Sequence, residues 1–161
     1  MKHPLLLGLF VSTLGLGAAA APPSRPLPAA AAVRDLALTT TPRQYEPMSR
    51  ATPADLGRLS LSVSAARFSA LKGSMRLRYA GHREAGPGND AAGDVYEVVN
   101  GAAFAKLNRG QPRGCGRVRW LILQPTDSSG GIWVWFLTIA DWRGYKDTGP
   151  GLCRGDTFYK N

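Results

Sequence analysis

RVRWLILQPTDSSGGIWVWFLTIADW, residues 117–142, is the stretch on which the fold turns. Two runs rich in branched and aromatic residues, 117–124 and 132–140, flank PTDSSGG, whose residues favour turns. Seven residues are too few for the crossover that a parallel pair needs, so the runs form an antiparallel hairpin. In the second run Trp133, Trp135, Leu137 and Ile139 share one face, and Ile132, Val134, Phe136 and Thr138 share the other. Both faces are apolar. That suits a strand covered on both sides, or one covered strand whose second face is offered to a ligand.

Three of the chain's four tryptophans fall in 131–142. They either fill a core, each ring burying up to about 250 Å², or make a platform on which sugar rings or bases stack. Trp133 and Trp135 lie about 7 Å apart along the strand, close enough for one continuous aromatic surface. The turn leaves the register open, and only one of its two parities puts Trp120 on their face. Trp142, between Asp141 and Arg143, is expected to be partly exposed.

Working upstream, VYEVV (95–99) and MRLRYAG (75–81) read as strands, and GAAFAKLN (101–108) as a short helix. Thr52-Pro53-Ala54-Asp55 is a helix start, with a hydroxyl cap, a proline in the first turn and an early acid. Leu56, Leu59, Val63, Ala66 and Ala70 continue it at helical spacing, although LSLSVS also alternates as a strand would. The expected fold is α+β: a small antiparallel sheet with one or two helices packed on it and one disulfide. An all-β sandwich or barrel is the alternative.

The first twenty residues have a basic start, an apolar run and Ala18-x-Ala20, the layout of a cleaved secretory signal. Residues 21–51 carry many prolines and alanines without a sustained period, and read as a disordered lead segment. A single globular domain is expected over 52–161. The chain's only cysteines, Cys115 and Cys153, are expected to form a disulfide, as suits a periplasmic or secreted protein. No transmembrane segment is expected in the mature form.

The formal charge is +9, and +5 of it lies in residues 101–161. A basic surface favours an acidic protein or an anionic envelope polymer; a glycan is a further candidate, and nucleic acid ranks behind these. Arg113, Arg117, Arg119 and Arg154 are the candidate anion contacts, because the disulfide brings Arg113 and Arg154 together and Arg117 and Arg119 share a strand face. Guanidinium pairs suit carboxylate or phosphate.

Catalytic signatures are missing: there is no G-x-S-x-G, H-E-x-x-H, Walker loop or dinucleotide fingerprint. His82 is the one histidine after the signal, and with Glu84 it is the candidate acid/base pair for a small hydrolase of nuclease type. Neither a metal site nor a cofactor is expected. The leading expectation is an exported non-enzymatic binding protein of inhibitor or immunity type, with Trp133, Trp135, Trp142 and the four arginines as binding residues. A glycan-binding module and a small hydrolase are the alternatives.

Overall fold

The computed structural model describes residues 36–49, 52–86, 91–112, 115–126, 130–147 and 149–160. The expected signal, the lead residues up to 35 and Arg113 lie outside the described residues. The described residues form eight strands and two short α-helices, with a 3-10 turn at Trp142–Gly144. They are β1 (Arg43–Pro47), α1 (Thr52–Asp55), β2 (Leu59–Leu61), β3 (Ala65–Phe68), β4 (Met75–Arg83), β5 (Gly93–Val98), α2 (Gly101–Leu107), β6 (Trp120–Pro125), β7 (Ile132–Leu137) and β8 (Leu152–Lys160). Each strand pairs antiparallel with its neighbours in sequence, and β8 returns to β1, closing a barrel. Closure leaves no free sheet edge.

The expected α+β fold is therefore corrected: the architecture is a closed all-β barrel. The error arose in 56–70, where a helical spacing coincides with a strand alternation. Gly57 resolves it. Its φ is +68°, and a side chain there would meet the Ser69 hydroxyl and the Ala70 backbone. The chain turns out of α1 at this point and enters β2, where Leu59 and Leu61 are fully buried and Ser60 between them is not. The lead segment also reaches less far than expected. Residues 43–47 are β1, and Tyr45 is buried in the barrel.

Alternate residues fill the interior. Leu59, Phe68, Met75, Tyr96, Leu121, Val134, Phe136 and Phe158 belong to one buried cluster, in which Phe68 packs on Phe136 and Phe158 at 5.6 and 6.1 Å between ring centres. One mouth is crossed by the segment entering β1, where Leu36 and Leu38 are buried and the Leu36 N–H donates to Asp94 at 3.1 Å. The helices lie at the other mouth and contribute Leu56 beside α1 and Phe104 in α2 to the same core.

A second apolar cluster forms on the outside. The connection from β7 to β8 folds back so that Trp142 and Tyr145 cover Val95, Ile122 and Leu137. Arg83 fastens this flap. Its guanidinium donates to the carbonyls of Ala91 and Tyr145 at 2.7 and 3.0 Å, and lies 4.7 Å from the Tyr145 ring centre. The apolar character of both faces of β6 and β7 follows from having a core on either side.

Cys115 and Cys153 form the expected disulfide, which ties the loop after α2 to the start of β8. Replacing Cys153 with serine is expected to destabilise the fold by about 4 kcal/mol, from the lost closure of a loop spanning 38 residues. Urea unfolding of the variant against the oxidised chain measures it. A loss under about 1 kcal/mol would mean that the closed barrel already restricts the same ends.

Candidate functional site

The register of the β6–β7 hairpin places the tryptophans. Trp120 pairs with Leu137, Ile122 with Trp135, and Gln124 with Trp133, so Trp120 shares the outer face with Trp133 and Trp135. Val134 and Phe136 point into the barrel and are fully buried. The outer face divides along its length. Trp120 and Trp135 pack against the flap cluster, and the Trp120 indole N–H donates to the Ile139 carbonyl at 3.0 Å. Trp133 lies beyond the flap and is 39% exposed.

Trp133 is stacked on Trp135, with 5.5 Å between ring centres and 18° between planes. Trp135 in turn lies over Gly155 of β8, where a Cβ would come within 2.8 Å of the ring. Glycine thus lets the indole lie against the backbone. Gln124 on one neighbouring strand and Thr157 on the other are directly opposite Trp133. The Gln124 amide oxygen accepts from the Trp135 indole N–H at 3.3 Å. Tyr159, two residues beyond Thr157, and Met48, at the end of β1, are 42% and 65% exposed and extend the patch. No family model, no curated protein and no solved structure matches this chain. The assignment therefore rests on the geometry alone.

Trp142 departs from expectation. It is buried at 8% exposure, in space left by the missing side chain of Gly81, while Arg143 lies over its ring at 4.6 Å. Its charged neighbours stay at the surface and the ring turns inward, a division that the sequence does not display.

Arg154 is also internal. It is opposite Phe136 in register and donates to both carboxylate oxygens of Asp156, at 2.5 and 2.8 Å, and to Asp55 of α1 at 3.3 Å. Thr52 completes the network by donating to Asp156 at 2.8 Å. Burial opposes the charge on Arg154, but the hydrogen bonds and charge of Asp156, then of Asp55, outweigh it and hold its pKa above the usual guanidinium value. A guanidinium so held joins α1 to β8 and is not presented to a partner.

Arg117 and Arg119 do come together, but not on the expected strand face, because both precede β6, which begins at Trp120. Both line a shallow cleft with Glu97, Val98, Trp120 and Ala140. Glu97 is already paired with Arg78. Among the described residues every carboxylate has a cationic or imidazole partner. The described ion pairs leave Arg117 and Arg119 without a carboxylate.

His82 and Asp94 face each other across β4 and β5, with Nδ1 at 3.4 Å from the carboxylate. Asp94 is fully buried and also accepts the Leu36 N–H, so it helps to close the barrel mouth. Glu84 is 3.6 Å from Nε2 and its side chain is 90% exposed, too far for a hydrogen bond. The sequence-predicted acid/base pair is within ion-pair distance but beyond hydrogen-bond reach. Among the described residues no group of three or more His, Cys, Asp or Glu is arranged to hold a metal ion.

Gln124, Thr157, Tyr159 and Gly155 escaped the sequence reading. For Gly155, Thr157 and Tyr159 the signal is the strand alternation of β8, GDTFYK, and for Gln124 that of β6, but without the register nothing shows that either runs beside Trp133.

Proposed function

We propose that this chain is an exported, non-enzymatic binding protein that engages an anionic macromolecule, an acidic protein or an anionic envelope polymer. Arg117 and Arg119 are the contact residues. The observation that carries this reading is their opening onto one cleft while the described acids are engaged elsewhere. Two guanidinium groups that pair with none of the described carboxylates offer charge-assisted hydrogen bonds to carboxylate or phosphate at little cost in rearrangement. Trp120 forms an apolar wall of the cleft.

The test uses dextran sulfate and poly-L-glutamate as probes. Arg117→Ala/Arg119→Ala is compared with Arg67→Ala/Arg76→Ala, which removes equal charge from two exposed strand positions. Binding of the wild-type chain should fall steeply as salt rises. Loss of about tenfold or more in the first variant, with little change in the second, supports the cleft. Equal losses in both would reduce the effect to net charge and refute the assignment.

A further inference from the structure

We propose that the outer face of β7 and β8 around Trp133 is a carbohydrate-binding site for a neutral pyranose oligomer. This goes beyond the anion-binding reading, uses different residues and does not depend on it. A pyranose has two chemically distinct surfaces. The ring C–H bonds form an apolar face, and the hydroxyls project around the rim. A site for it needs a flat aromatic surface with hydrogen-bonding groups beside the surface's edge.

The barrel supplies both. Trp135 covers one face of Trp133, so the 39% exposure of Trp133 comes from its other face and its edges. Gln124 and Thr157 stand opposite Trp133 on the two neighbouring strands, about 5 Å away on either side. Because the Gln124 oxygen is engaged by the Trp135 N–H, its amide N–H groups are directed to donate elsewhere. The Thr157 hydroxyl can both donate and accept. The platform is also held before any ligand arrives, since Trp133 rests on Trp135 and Trp135 on Gly155. Little ordering remains to oppose binding.

Charge selects the class of ligand. In the row Gln124, Trp133 and Thr157, and in Met48, whose N–H donates to the Thr157 carbonyl at 2.9 Å, no side chain is ionisable. Arg154, on the same strand, points inward to Asp156. The nearby Glu46 is paired with Arg58. A nucleic acid would bring phosphates to a strip without cations, and an apolar protein segment would bury the amide and the hydroxyl without partners. A neutral sugar meets neither obstacle. Tyr159 is diagonal to Trp133 on the same face, so a second ring can be accommodated and an oligomer is favoured over a monosaccharide.

Saturation-transfer NMR on the purified chain with neutral gluco-, manno-, galacto- and N-acetylglucosamine trisaccharides tests the proposal, with oligothymidylate and an apolar peptide as competitors. At least one trisaccharide is expected to bind, with affinity that is unchanged between low and high salt. Trp133→Ala should weaken it at least about tenfold, since a stacked ring is lost. Thr157→Val, nearly isosteric, should weaken it by a few-fold while the indole spectra stay unchanged. Arg117→Ala/Arg119→Ala should leave it intact. Absence of any trisaccharide signal overturns the proposal, as does binding that survives Trp133→Ala. Displacement by oligothymidylate or the peptide at lower concentration than the sugar reassigns the face to that class.

Discussion

Replacing Asp156 with alanine is expected to lower the unfolding free energy by about 3 kcal/mol. The change removes both short hydrogen bonds from Arg154 and the acceptor of the Thr52 hydroxyl. The Asp156 side chain is only 6% exposed and that of Arg154 16%. Breaking a buried pair by deleting one partner typically costs about 3–5 kcal/mol, because the surviving charge is left uncompensated. The lower end applies here, since Asp55 still contacts the guanidinium. Asp156→Asn, which keeps an acceptor for Thr52, should cost less. Asp141→Ala removes an ion pair whose partners are both about two-thirds exposed and the cap acceptor of the Arg143 N–H, and should cost about 1 kcal/mol or less. Urea denaturation of the three variants supplies the comparison. A loss under about 1 kcal/mol for Asp156→Ala would show that water reaches the network and solvates the freed arginine.

Phe136→Ala should cost about 4 kcal/mol, and Trp133→Ala, three residues earlier on the same strand, less than about 1 kcal/mol. The larger value follows from full burial of Phe136 in the barrel interior, where its ring packs on Phe68 and its removal leaves a cavity. Trp133 loses only its contact with Trp135 and partial burial, because it points outward at 39% exposure. Thermal and urea unfolding measure both. Comparable costs would mean that Trp133 is a structural residue, and would remove the independence of fold and ligand binding on which the carbohydrate test depends.

How much of this was legible in the sequence varies by element. The β6–β7 hairpin, the strands at 75–81 and 95–99, the short helix α2 and the disulfide follow from local pattern, and the structure has them. Residues 56–70 misled, because leucine and alanine at helical spacing overlap a two-residue alternation, and a short window satisfies both. Deciding between them required the left-handed turn at Gly57, a position whose strain depends on Ser69 and Ala70 across the next hairpin. β1 was hidden in a segment whose prolines suggested disorder. Its ordering comes from pairing with β2 and β8.

The candidate sites divide in the same way. Trp133 and Trp135 were legible as residue types in a strand, whereas Arg117 and Arg119, expected on the same strand as Trp120, precede β6. Arg154 and Trp142 were misplaced, since a charged side chain in a strand or an indole between charged neighbours reads as exposed until its partners are known.

By itself the sequence determined the strands with strong alternation, the excess of positive charge, and the alternation that separates Trp133 from Val134 on β7. These depend on neighbours within a few residues. Only the tertiary structure decided that the strands close into a barrel, that Arg154 faces Asp156 and Asp55, and that Gln124 and Thr157 flank Trp133. Those are relations between strands, and a shift of one residue in register would turn each of these side chains to the opposite face.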